Sequence, residues 1–241
     1  MIATTTDELL YDSAKKLAES GGTGFLLSGG SESTGKLPIY RFAKTIKKIK
    51  QDYNLMINLH TGLLETEDIT ILKDMNIDNV SFDMVGADET IKNVFGMDRT
   101  VSDYTKTLNL LDLSGIDYTP HIVIGLDWGR IKGEYKAIDV LKAMNNFKKL
   151  IFIVLIPTKN TAMALIPPPK IEDIDKVFKY SKDNIDKEHV LGCMRPRYMV
   201  EIENAAIDND FNGIVIPSKK TENYALSLGY QIVRHNYCCS F

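Results

Sequence analysis

The chain has 241 residues, with 29 basic against 32 acidic side chains and a formal net charge of −3. That length fits one large α/β domain (1–241) better than two small ones, and the charge balance excludes a broad basic surface for nucleic acid. No apolar stretch is long enough to span a bilayer, and Met1-Ile2-Ala3-Thr4-Thr5-Thr6-Asp7-Glu8 has neither the basic nor the apolar region of a signal peptide. The expectation is a cytosolic protein without membrane contact. Cys193, Cys238 and Cys239 are too few and too odd in number for a disulfide framework; in a reducing compartment such a set is inert, metal-binding or reactive.

The chain opens on a helix capped by Thr6 or Asp7, with Leu9, Leu10, Ala14, Leu17 and Ala18 at helical spacing up to Gly21-Gly22. Gly24-Phe25-Leu26-Leu27-Ser28-Gly29-Gly30-Ser31 then reads as a short buried strand ending on a glycine pair, which permits positive φ and leaves main-chain N–H groups open to a polar ligand. Lys36-Leu37-Pro38-Ile39 starts a second helix, with Phe42, Ile46 and Ile49 on one face and lysines on the other. Strand Leu55 to His60, helix Glu65 to Met75, strand Asn79 to Val85 and helix Ser102 to Leu113, capped by Ser102, continue the alternation.

Strand Tyr118 to Gly125 and helix Glu134 to Phe147 follow, and then the most hydrophobic strand, Leu150 to Ile156, apolar on both faces as full burial demands. Helix Ile171 to Ile185, strand His189 to Cys193, helix Tyr198 to Asn209, strand Gly213 to Ile216, helix Thr221 to Leu228 and strand Tyr230 to His235 complete the series before a cysteine tail at 236–241. Strands alternating with helices, without a composition break, predict a parallel β/α fold. About eight strands suit a TIM-type barrel, full or partial. Thr158 to Lys170, with Pro167-Pro168-Pro169, follows a strand's carboxyl end and reads as a lid or rim.

Most strands end in polar or glycine-containing stretches: Ser28 to Ser31, Asn58 to Gly62, Asp83 to Gly86, His121 to Gly125, Pro157-Thr158 and Cys193 to Pro196. Taken singly, Asn58 or Asp83 reads equally well as a turn cap and His121 as a core histidine. Gathered at the carboxyl end of a barrel, they form a site. The sequence has no phosphate-binding Gly-x-x-x-x-Gly-Lys-Ser/Thr loop, no Gly-x-Ser-x-Gly elbow and no His-x-x-x-His pair. His60 and His121 are available as acid–base groups or ligands. Cys193 ends a strand while Cys238-Cys239 lies in the tail, so a returning tail brings three thiols to one mouth, a set that suits zinc or an iron–sulfur centre; a buried Cys193 with a frayed tail is the equal alternative.

The assembled strand ends resemble the radical S-adenosylmethionine (SAM) enzymes of the biotin-synthase-like type, and within them a component of the two-component lipoyl synthases. The resemblance rests on GFLLSGG (24–30), NLHTG (58–62), SFDMVG (81–86), PHIVIGL (120–126), Gly133-Glu134-Tyr135, Leu155 to Thr158, LGCMRP (191–196) and Tyr237-Cys238-Cys239, in this order. It implies a barrel missing its first strand and a SAM pocket. In that pocket Ser28, Gly29, Gly30 and Ser31 hold the amino group, the Ile122–Gly125 strand, with Ile124 and Gly125, and the Leu155–Thr158 strand end, with Pro157 and Thr158, lie along the adenine, His121 is a further cofactor-binding candidate, and Asn58, His60 and Asp83 face ribose, carboxylate or substrate. His60 and Asp83 are the catalytic candidates. A dry barrel suits a carbon radical.

The resemblance further implies a [4Fe-4S] cluster, whose Cys-x-x-x-Cys-x-x-Cys loop is absent from this sequence. The expectation is therefore a chain that starts at an internal methionine and is inactive by itself. Cys193, Cys238 and Cys239, with Arg195 or Ser240 as fourth ligand, are the implied thiols of an auxiliary, sulfur-donating cluster. The implied reaction is sulfur insertion into an unactivated alkyl chain such as an octanoyl group on an acylated carrier protein, with an electron donor and a second synthase component as partners. Two rival expectations stand beside it. One is a phosphate-binding β/α barrel isomerase or aldolase using Ser28-Gly29-Gly30 as cradle and His60 or Asp83 as base, which leaves the cysteines unused. The other is a non-catalytic fragment acting as a binding partner.

Overall fold

A computed structural model describes residues 2–241. Seven parallel strands, β1 (Gly24–Leu27), β2 (Met56–His60), β3 (Asn79–Asp83), β4 (Tyr118–Ile124), β5 (Lys149–Val154), β6 (Glu188–Leu191) and β7 (Gly213–Ile214), lie side by side in chain order. The sheet curls into a partial TIM-type barrel with its helices outside. The expected eighth strand does not form: residues 230–235 pair with no strand and are exposed. With Tyr230, Ile232 and Val233 all open to solvent, this stretch has no buried face, so its alternation of apolar residues has no core to meet. The barrel therefore stays open between β7 and β1.

Helices α1 (Asp7–Glu19), α2 (Ala43–Asp52), α3 (Thr66–Met75), α5 (Val101–Ser114), α6 (Glu134–Leu141), α7 (Ile171–Asn184), α8 (Val200–Asp208) and α9 (Lys219–Ser227) fall where the periodicity predicts them. Their apolar stripes meet the outward side chains of the sheet. Ile46 and Ile49 of α2 and Leu72 of α3 are fully buried, as are Ile57 and Leu59 of β2; each such side chain contributes about 1.5–3 kcal/mol.

Local chemistry moves several boundaries. Pro38–Phe42 forms a 3-10 turn, and α2 begins only at Ala43, because Lys36 first pairs with Gly62 in an antiparallel bridge. The α5 cap is Thr100 rather than Ser102, in a capping box with Asp103. Helix α6 stops at Leu141, and the turn after it is held by Asp112, whose carboxylate accepts from the Asn145 and Asn146 N–H groups. One helix, α4 (Asp88–Phe95), was not anticipated; two turns ending on the left-handed Gly96 fill the connection that sequence periodicity leaves blank.

Register and pleat divide the strands into two faces. Ile57, Leu59, Val80, Phe82, Ile122 and Ile124 belong to the hydrophobic core. The alternate residues Asn58, His60, Asn79, Ser81, Asp83, Thr119 and His121 line the opposite face, the barrel lumen.

Candidate active site

The lumen carries a continuous buried polar ladder. Asn58 Nδ2 donates to Ser81 Oγ at 2.8 Å, Asn79 Nδ2 donates to Asn58 Oδ1 at 3.0 Å, and Thr119 Oγ1 donates to Asn79 Oδ1 at 3.1 Å. These groups are fully or almost fully buried and satisfy one another, as buried polar groups must. Asn58 is thus committed within the ladder. The signal for the rest was in the sequence: polar residues at every second position of β2, β3 and β4 mark one wetted face.

Above the ladder, at the strands' carboxyl ends, His60, Asp83 and His121 cluster. The two imidazole rings are 5.7 Å apart, and His60 Nδ1 stands 3.7 Å from Asp83 Oδ2. His121 Nδ1–H donates to the Thr119 carbonyl at 3.0 Å, which leaves Nε2 as the acceptor. Burial pushes the His121 pKa down to about 4, against the pull of Asp83. His121 is therefore neutral near pH 7. Tyr104 is raised to about 12 by burial and, secondarily, by Asp83.

The glycine loop that ends β1 is at the rim. Ser28, Gly29, Gly30 and Ser31 are exposed, and a Cβ on Gly29 or Gly30 would meet nothing within 4 Å. Neither glycine is left-handed, so the pair is not there for the φ > 0 that the sequence allowed. The pair leaves an uncovered strip of main chain at the rim.

Gly125 has a different role. Its N–H donates to Glu134 Oε1 at 2.8 Å, while Oε2 accepts from Lys132 N–H at 2.6 Å. Burial raises the Glu134 pKa, with these two hydrogen bonds opposing. Pro169 packs on Gly125 and the Pro167 carbonyl on Gly129, so the 158–170 segment is a rim seated on the β4 loop. Ile124 belongs to the outer core, away from the lumen. Pro157 is half-buried and Thr158 exposed, the Thr158 hydroxyl donating to the Ile156 carbonyl.

Cys238 and Cys239 lie in the returning tail, just before the buried Ser240. Cys193 is exposed just after β6, while Cys238 and Cys239 are half-buried. The interaction between the adjacent thiols lowers the Cys238 pKa and raises that of Cys239. Among the described residues, however, no three His, Cys, Asp or Glu side chains are arranged to hold one metal ion. The two fourth-ligand candidates are engaged elsewhere. Arg195 donates through Nε and Nη2 to Glu203 Oε1 and through Nη1 to the Gly192 carbonyl, and Ser240 Oγ lies 3.1 Å from Ser81 Oγ. No Cys-x-x-x-Cys-x-x-Cys loop exists in the sequence. The donor set for a radical-generating cluster does not fit, and no step is assigned to one.

No family model matches the chain. Biotin synthase from Leptospira interrogans serogroup Icterohaemorrhagiae serovar Lai (strain 56601) is 21% identical over 121 residues, which are 50% of this chain and 34% of that protein. Among solved structures, methylornithine synthase (PylB) superposes with a TM-score of 0.61 at 12% identity, covering 88% of this chain and 62% of that one. The [FeFe]-hydrogenase maturase HydG from Carboxydothermus hydrogenoformans gives 0.57 at 15%, covering 88% and 51%. HMG-CoA lyase from Brucella melitensis gives 0.59 at 4%, covering 96% and 86%. The match to biotin synthase spans about a third of that relative, and those to PylB and HydG half to two thirds of theirs. No helix among the described residues is long and apolar enough to cross a membrane. The curled parallel sheet and these likenesses identify a partial β/α barrel, the fold of PylB, HydG and the lyase, with one 121-residue stretch similar to biotin synthase.

Proposed function

We propose that the chain is the SAM-binding barrel of a sulfur-inserting enzyme of the biotin and lipoyl synthase kind, acting on an unactivated alkyl chain such as a carrier-bound octanoyl group. The observation that supports this reading is the His60–Asp83–His121 cluster at the carboxyl ends of β2 and β3 and in β4, on the same end of the sheet as the uncovered glycine strip after β1. An acyl carrier protein, an electron donor and a second synthase component are the partners this chemistry calls for.

In enzymes of this kind bound SAM would supply the radical chemistry, and the cluster that reduces it would need thiolates from outside these 241 residues. The chain's own residues do the rest. The main chain at Gly29 and Gly30 offers polar groups to the ligand's amino end, and neutral His121 presents Nε2 as an acceptor. His60, beside Asp83, holds or yields a proton at the mouth. The buried lumen keeps water from a reactive carbon centre.

Anaerobic incubation with iron and sulfide tests the role of the thiols. A brown protein that becomes colourless in the Cys193→Ala/Cys238→Ala/Cys239→Ala variant supports a sulfur centre; equal iron in both excludes it. The rival isomerase or aldolase reading draws on the same exposed Ser28–Ser31 loop and on the likeness to the lyase barrel. It requires phosphate-ester binding at that loop, independent of the cysteines.

A further inference from the structure

Residues 236–241 turn back against the barrel. Ser240 is 6% exposed. Its hydroxyl meets Ser81 Oγ at 3.1 Å, and its carbonyl shares the single Thr119 hydroxyl proton with Asn79 Oδ1, each oxygen 3.1 Å from Thr119 Oγ1. Lys149, at the amino end of β5, donates to the Phe241 carbonyl, and its ammonium sits 5.8 Å from the centre of the Tyr237 ring. The Phe241 N–H donates to the Cys238 carbonyl at 3.0 Å, closing a tight turn. The preceding residues 231–236 are exposed, with the Arg234–Glu222 ion pair at 2.7 Å as their side-chain anchor. The tail is thus pinned at its buried Ser240, with an exposed tether before it.

We propose that Ser81 and Thr119 are positioning residues: by clasping Ser240 they fix the adjoining Cys238–Cys239 pair against the barrel. Six ordered residues lose conformational freedom, and an exposed tether gives them no packing in return. The clasp supplies the compensation, because Ser240 replaces the water that the Ser81 and Thr119 hydroxyls would otherwise bind in the lumen. It also explains a polar barrel floor beneath a mouth assigned to alkyl chemistry: the floor is the seat of the tail. Substrate space then ends at the thiols. The inference holds whether the mouth handles SAM or a phosphate ester, since it concerns where the thiols are held.

The test is thiol labelling under anaerobic, phosphine-reduced conditions with N-ethylmaleimide, followed by peptide mass spectrometry. In the parent protein Cys193 reacts fast and the Cys238–Cys239 peptide slowly. Thr119→Val and Ser240→Ala each speed the tail peptide by roughly five- to tenfold, the effect of one lost buried hydrogen bond, while Cys193 is unchanged. Thr119→Ser, which keeps the hydroxyl, restores slow labelling. Ser240→Ala lies on the tail itself, so its result does not depend on the barrel tolerating a core change. Tail labelling in the parent as fast as in urea, or no acceleration in Ser240→Ala, overturns the proposal.

Discussion

Gly86 and Gly133 meet backbone to backbone: a Cβ on Gly86 would lie 2.1 Å from the Gly133 carbonyl oxygen. The loop after β3 is thereby pressed onto the start of α6, where Gly133 takes φ +106. This contact seats Glu134 beneath Gly125, so it sets the rim of the mouth. Gly86→Ala must push the two segments apart and is expected to cost about 1–3 kcal/mol, read as a lowered urea midpoint. An unchanged midpoint contradicts the close approach.

Arg195 is held by Glu203, with Nη2 2.5 Å from Oε1 and both side chains buried. The other Glu203 oxygen accepts from Ser218 N–H and the Thr221 hydroxyl, tying the end of β6 to α9. Burial opposes the charge on Glu203, yet the hydrogen bonds from Thr221, Ser218 and Arg195 lower its pKa overall. Glu203→Ala strands a buried guanidinium and is expected to cost about 3–5 kcal/mol. A loss below about 1 kcal/mol, the range of an exposed pair, contradicts that role. An arginine held this way is a structural strut, and Arg195→Lys is expected to lower stability without changing the iron bound after reconstitution.

Gly29 and Gly30 have open space where a side chain would go and ordinary φ angles. Alanine at either position is therefore expected to leave stability within about 0.5 kcal/mol of the parent. Binding of SAM, in contrast, falls by at least about tenfold when a methyl group covers the main-chain strip, a change of about 1.4 kcal/mol. Calorimetric titration of the variants separates the two effects. A parent-like affinity removes the loop from the pocket.

His121 and His189 are both buried, and both are pushed down to about 4 by that burial. His189 is a core histidine, its Nδ1–H bonded to the Lys187 carbonyl and its Nε2 accepting from Ser181. In the unfolded chain each takes up a proton near 6.5, so the unfolded state binds more protons between pH 6.5 and 4. Their contribution is full above pH 6.5 and is lost as pH falls towards 4. Each is expected to remove about 1.4 kcal/mol per pH unit across that window. Urea midpoints at pH 7, 6 and 5 measure it; a flat profile contradicts neutral burial.

Much of the barrel is legible because each buried strand is short, apolar and followed by an amphipathic helix. The eighth strand misled for a physical reason: Tyr230, Ile232 and Val233 have strand-forming side chains, but alternation cannot reveal whether an opposite surface exists. The short α4 escaped because two turns give periodicity little to repeat. At the site, His60, Asp83 and the cysteines were visible as residue types at strand ends. The commitments of Asn58, Arg195, Gly125 and Ser240 were not, since Ser81, Glu203, Glu134 and Thr119 are remote in sequence or ordinary in type.

Equilibrium dialysis of the chain against radiolabelled SAM, under anaerobic conditions, tests the central claim most directly. The expected result is saturable binding of one SAM per chain, competed by S-adenosylhomocysteine, insensitive to inorganic phosphate and lost in Gly30→Val. Absence of saturable binding, or displacement of the label by inorganic phosphate, would contradict a SAM pocket at this mouth.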